Sequence, residues 1–191
     1  MNKKGLLVVY TGCSGVGKGT IMKEMLQKES SLRLSVSATT RDPRPGETHG
    51  KEYFFVSREE FKEMINNNKF LEYAQYADNF YGTPKDAVEE MLNQGLNVIL
   101  EIEVQGGLQV LEKCPDCLSI FIVPPSMEEL ENRLRGRGTE PNDVIEKRME
   151  AAKTEMTFTN RYDYVVMNDK VDTAVEEIIS LIKKEQDKRN S

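Results

Sequence analysis

The chain has 191 residues, 38% hydrophobic and 30% charged, which is enough apolar side chain to bury a core without metal or disulfide support. Its formal net charge of −6 argues against duplex nucleic acid or anionic membrane as a partner, although basic residues that converge locally can still hold phosphates. An odd set of three cysteines (Cys13, Cys114, Cys117), an N-terminal apolar run too short for a secretory leader, and no run of membrane-spanning length imply a reducing, cytoplasmic setting.

Residues 6–10 form an unbroken valine- and leucine-rich run suited to a strand buried on both faces. Gly12-Cys13-Ser14-Gly15-Val16-Gly17-Lys18 follows and fits G-x-x-x-x-G-K, and Ile21, Met22, Met25 and Leu26 then have helical spacing. Strand, glycine-rich turn and helix open a parallel α/β unit. The glycines let the main chain turn so that several N–H groups face one anion. The helix start adds a favourable dipole, and Lys18 reaches the outer phosphates of ATP. Residues 12–20 are therefore candidates for ATP binding. The position after the lysine, where a hydroxyl would ligate magnesium, is Gly19; either Thr20 contacts Mg2+ or phosphate, or the ion keeps more of its waters. Cys13 is either a thiol activated by the helix start or a small residue that fits the turn, and the second reading is preferred.

Residues 37–95 break the rhythm and read as a small mixed insertion. They open with Thr39-Thr40-Arg41-Asp42-Pro43-Arg44-Pro45-Gly46, too rich in proline for a helix. Residues 53–56 and 70–77 look like short strands, with Ser57-Arg58-Glu59-Glu60 capping a helix between them. Arg41 and Arg44, three apart in a stiffened loop, can converge on one phosphate. Glu72, Tyr81 and Thr83 supply a carboxylate, a phenol and a hydroxyl nearby in sequence, and Thr83-Pro84 also has the pattern of a helix start.

Residues 98–102 form a second buried strand. Glu101 and Glu103, two apart, would then share one face at the carboxyl edge of a sheet, suited to magnesium (Glu101, through water) or nucleotide. Strands at 118–123 and 164–167 follow, with a capping box predicted at Ser126 to Glu129. Val171, Ala174, Val175, Ile178, Ile179 and Ile182 make one helical face. Residues 133–138 read as a basic, glycine-rich loop between two helices, a candidate mobile lid. Cys114 and Cys117 have metal-site spacing, but no second cysteine pair exists and His49 is the only histidine, so a plain loop is expected there.

Taken together, Arg41-Asp42-Pro43-Arg44, Tyr81-Gly82-Thr83, Glu101-Ile102-Glu103, Arg135-Gly136-Arg137-Gly138-Thr139 and Glu146-Lys147-Arg148, behind the phosphate loop, closely resemble the guanylate kinases over nearly the whole chain. The resemblance implies a P-loop three-layer α/β/α fold with a parallel central sheet, an inserted mixed α+β subdomain and a helical lid. It divides a single domain into a core (1–36, 96–125, 159–191), a GMP-binding subdomain (37–95) and a lid (126–158). It implies transfer of the γ-phosphoryl group of ATP to GMP, and to dGMP, with magnesium. By the same resemblance, Arg41, Arg44, Tyr53 and Tyr81 hold the GMP phosphate, Glu72 and Glu103 read guanine, and Ser37 and Thr83 assist. Arg137 and Arg148 close over the moving phosphoryl group beside Lys18 and Arg41, Arg133 joins on the ATP side, and Asn168 lies near the ATP base. Glu103 stands where other members have aspartate, and Thr83 where some have serine. Family members that serve only as binding scaffolds typically lack an intact phosphate loop, and here Gly17 and Lys18 are present. A related kinase for another phosphorylated acceptor would not need the Glu72, Ser37 and Thr83 set.

Overall fold

The computed structural model describes residues 4–76, 78–136, 138 and 141–190. The chain starts with β1 (Leu7–Gly12), α1 (Lys18–Lys28) and β2 (Leu32–Leu34). A second group follows: β3 (Ala38–Thr39), β4 (Phe54–Phe55), α2 (Arg58–Asn66), β5 (Phe70–Tyr76), β6 (Asn79–Pro84) and α3 (Lys85–Asn93). The chain then returns through β7 (Asn97–Glu101), α4 (Val104–Lys113), β8 (Leu118–Val123), α5 (Met127–Gly136), α6 (Asn142–Met156), β9 (Tyr164–Met167) and α7 (Val171–Asn190).

The central sheet runs β2-β7-β1-β8-β9, and every pairing in it is parallel. Strands β1 and β8 are buried along their full length, as expected for apolar runs covered on both faces. Helix α4 packs on β1, α3 on β7, and α1 against α7. Ile99, Leu100, Ile120, Phe121 and Ile122 lie in the resulting core, where each buried aliphatic side chain contributes about 1.5–3 kcal/mol relative to exposure. The carboxyl end of β1, flanked by β7 and β8, is where such sheets open a crevice for ligands.

The second sheet runs β4-β3-β6-β5. Its own small core stacks Phe61 on Phe70 at 4.5 Å and on Phe80 at 5.5 Å between ring centroids. The predicted cap of α2 is present in full: Ser57 Oγ accepts from Glu60 N, and Ser57 N donates to the Glu60 carboxylate. A register shift on β5 between Phe70 and Glu72 breaks strict alternation, so Leu71 and Glu72 are both buried.

Several expected local features are corrected. The second buried strand ends at Glu101, and Glu103 occupies the cap position ahead of α4, so the two carboxylates do not share a strand face. Thr83 does not cap a helix; Pro84 occupies that position, and the Thr83 hydroxyl turns to Glu72. Helix α5 runs on to Gly136, placing Arg133 and Arg135 in its last turn, not in a loop. Ser126 Oγ accepts from Glu129 N, but the Glu129 carboxylate accepts from Arg133 Nε instead of completing the box. Strand β5 ends at Tyr76; Ala77, which the sequence also assigned to it, lies outside the described residues.

Candidate active site

The phosphate loop closes the carboxyl end of β1. Gly17 has φ +97°, a left-handed conformation, and a Cβ there would lie 2.7 Å from Asn168 Nδ2, so only glycine fits. Lys18 Nζ donates to Gly12 O at 2.7 Å and Cys13 O at 3.3 Å, which folds the ammonium over the loop. Asn168, 4% exposed, donates through Nδ2 to Val16 O at 2.7 Å, and its main-chain carbonyl accepts from Arg133 Nη1 at 2.9 Å. Arg133 is held in turn by Glu129, so α5, the turn after β9 and the phosphate loop form one braced unit. Cys13 is fully buried and its thiol is pushed up to about 11 by burial and the Glu155 carboxylate, the state of a packing residue.

Helix α6 reaches the same loop. Cys13 Sγ donates to Ala152 O, and Ser14 N donates to Glu155 Oε2 at 3.1 Å. Arg148 lies four and seven residues before these two contacts, on the same helical face. Burial raises the Glu155 carboxyl above its ordinary value, Glu103 adds to the shift, and the Ser14 N–H and Lys18 act against it. Glu101 is raised by burial and by Glu103, with Lys18 opposing. Its Oε1 lies 3.8 Å from where a side chain on Gly19 would begin, so the carboxylate flanks the position where a magnesium-ligating hydroxyl is missing.

The second sheet presents a different chemistry. Thr83 and Glu72 are direct neighbours across β6 and β5, and the Thr83 hydroxyl donates to Glu72 Oε1 at 2.6 Å. Glu72 is 6% exposed, and burial raises its carboxyl above the ordinary range, with the Thr83 hydrogen bonds and Lys113 opposing. Nearby, Arg41 stacks on the Tyr53 ring at 5.4 Å and the Phe55 ring at 5.8 Å, and Tyr53 and Tyr81 meet edge to face at 6.1 Å. Arg41 Nη2 donates to both oxygens of Glu47 at 2.9 Å, and Glu47 also accepts from Arg44 N at 2.7 Å.

Comparison with known proteins assigns the chain to one family. The guanylate kinase family model matches residues 4–185. The chain belongs to the guanylate kinase family. A guanylate kinase of Clostridioides difficile (strain 630) is 54% identical over 186 residues, covering 97% of this chain and 91% of that protein. One of Caldanaerobacter subterraneus subsp. tengcongensis is 54% identical over 182 residues, covering 95% and 88%. Among solved structures, guanylate kinase from Anaplasma phagocytophilum superposes with a TM-score of 0.75 at 33% identity, covering 97% of this chain and 88% of that one.

Against the family's pattern, the structure brings Lys18, Glu101, Arg133, Arg148 and Asn168 to the phosphate loop or the elements packed on it. It brings Arg41, Tyr53, Glu72, Tyr81 and Thr83 onto or beside the inserted sheet. Ser37 immediately precedes β3 and is half-buried, whereas Arg44, Thr20 and Glu103 are exposed. Arg137 lies outside the described residues. His49 Nδ1 accepts from Phe55 N, a loop-shaping bond. Two carboxylates escaped the sequence reading. Glu47 carried a weak signal, an acidic residue three places after Arg44 in a proline-glycine turn. Glu155 carried none, because 141 residues separate it from Ser14.

Proposed function

We propose that this chain transfers the γ-phosphoryl group of ATP to GMP, and also to dGMP, giving ADP and the nucleoside diphosphate, in the purine nucleotide metabolism of the cytoplasm. Among the described residues no helix is long and apolar enough to cross a membrane. The observation that carries the reading is the buried Glu72–Thr83 pair, set in the inserted sheet of a chain whose central sheet ends in a phosphate loop. Guanine offers N1–H and its exocyclic amine as adjacent donors, which match a carboxylate. Adenine presents an unprotonated N1 there, which a carboxylate repels. A buried group left without its partner is penalised strongly, so discrimination of about 10⁴ is within reach.

The acceptor needs no general base, because a phosphate monoester already carries anionic oxygen near neutral pH, its second pKa being about 6. Catalysis then reduces to alignment and charge neutralisation. Arg41, Arg44, Tyr53 and Tyr81 would hold the GMP phosphate, with Ser37 and Glu103 assisting Glu72 and Thr83 at the base. Lys18 and the arginines at 133, 137 and 148 would neutralise the moving group, and Asn168 would lie beside the ATP base. Magnesium would be held by Glu101, through water, and by Thr20 together with the ATP phosphates, and would supply positive charge against the charge that develops during transfer. Residues 37–95 and 126–158 would act as the acceptor subdomain and the lid over a core made of the remainder, and their closure would exclude water, which otherwise hydrolyses ATP.

The deciding experiment is ADP formation by the purified chain with ATP, magnesium and each of GMP, dGMP, AMP, CMP and UMP. Turnover with the two guanine nucleotides alone is expected, and equal turnover with AMP would overturn the assignment.

A further inference from the structure

Helix α4 belongs to none of the nucleotide motifs, yet one stripe of it grips the strand that carries Glu72. Gln109 Nε2 donates to Tyr73 O at 3.0 Å, and Gln109 Oε1 accepts from Tyr73 N at 3.3 Å. Lys113 Nζ donates to Leu71 O at 2.8 Å. At Gly106 an added Cβ would lie 2.5 Å from Glu72 Oε2 and 3.1 Å from its Cδ. Positions 106, 109 and 113 recur at helical spacing and fall on one face. Lys113 and Gln109 hold the main chain before and after Glu72, and Gly106 leaves the room that its carboxylate fills.

This stripe also joins the two sheets. Strand β5 is an edge of the inserted sheet, with main-chain groups that no neighbouring strand pairs, and the Gln109 amide satisfies them as a strand would. Helix α4 begins three residues after Glu101, where β7 ends beside the phosphate loop. The seam therefore ties the strand that carries Glu72 to the helix that leaves β7 beside the phosphate loop.

We propose that Gly106, Gln109 and Lys113 are positioning residues that hold Glu72 in register with the acceptor base, and so govern GMP selection without touching the nucleotide. The inference rests on the reading that Glu72 receives the guanine edge. A reader displaced by about 1 Å loses much of its binding geometry, whereas the phosphate loop is untouched. A purely structural role would instead lower the active fraction, and with it turnover, at unchanged KM.

The test is steady-state kinetics and thermal melting of the full chain carrying Gln109→Met, Gly106→Ala or Glu72→Gln. Gln109→Met keeps the bulk and loses both hydrogen bonds; it is expected to raise KM for GMP about ten-fold and leave KM for ATP unchanged. Gly106→Ala is expected to move the same constant further, towards that of Glu72→Gln. Should Gly106→Ala fail to fold, Gln109→Met carries the test alone. A Gln109→Met protein with wild-type KM for GMP, or with losses confined to turnover and melting temperature, overturns the seam. If Glu72→Gln leaves KM for GMP unchanged, the guanine reading falls and the seam falls with it. If Glu72→Gln raises it while both α4 variants do not, the seam alone is wrong.

Discussion

The main-chain N–H of Ser14 donates to Glu155 Oε2 at 3.1 Å, so a carboxylate from α6 sits on the phosphate loop, where ATP is proposed to bind. ATP brings further negative charge to the same place, and the nearby Lys18 ammonium must serve both. Glu155→Gln keeps the acceptor oxygen and removes the charge. It is expected to lower KM for ATP about five-fold at neutral pH and leave KM for GMP unchanged, as steady-state assays would show. Burial raises the Glu155 carboxyl, so this charge is lost at a higher pH than from an ordinary carboxylate, and the difference between the two proteins should shrink as pH falls. A higher KM for ATP in the variant would mean that the carboxylate supports the loop and does not compete with phosphate.

The role proposed for Lys18 divides the two substrates. Its ammonium folds onto Gly12 O and Cys13 O, far in sequence from Glu72 and Arg41. Lys18→Ala should reduce turnover by about 10³ or more while calorimetry finds GMP affinity nearly intact. Weak GMP binding with normal turnover would contradict this division of labour.

If Glu72 reads guanine as proposed, it does so at a cost in stability. Its folded-state pKa is raised by burial, so its neutral form is favoured in the fold. For a raised carboxyl the stabilising contribution is complete below the ordinary value of 4.5 and is lost as pH rises through the folded value. At neutral pH the ionised side chain therefore costs stability. Glu72→Gln should melt at a higher temperature than wild type at pH 7, with the gap closing towards pH 4.5, while KM for GMP rises about 10²-fold. Beside the limb that the GMP phosphate itself sets near its second pKa of about 6, the acid side of kcat/KM for GMP should carry a contribution from Glu72, raised above the ordinary carboxylate range, that Glu72→Gln removes. An unchanged acid limb would remove Glu72 from the base site.

The legible parts of this molecule are those where local sequence and tertiary demand agree. The run before Gly12 can only be a doubly buried strand, and Ser57 with Glu60 satisfies two orphan helix donors reciprocally, so both stand where the pattern puts them. Strand β2 spans three residues and β3 two, too short for any period to register. Thr83 before Pro84 has the chemistry of a helix cap, and a stronger partner, the buried Glu72 carboxylate across the sheet, takes its hydroxyl. Arg133 and Arg135 look like a loop because glycines follow them, yet Glu129 and Glu131, each four residues earlier, hold them in the helix. The contacts of Glu155 and Gln109 are tertiary and leave no trace at short range.

At Arg41, proposed to hold the acceptor phosphate, charge can be separated from shape. Its Nη2 donates to both oxygens of Glu47, its Nη1 donates to Asp42 O, and its plane lies over the Tyr53 and Phe55 rings. Lysine keeps the positive charge but has neither the planar set of donors nor the stacking surface. Arg41→Lys should therefore behave nearly as badly as Arg41→Ala, with KM for GMP raised about 10-fold or more and KM for ATP unchanged. Restoration of wild-type KM by lysine would show that charge alone holds the GMP phosphate, and that the aromatic bed beneath Arg41 serves only to pack the loop.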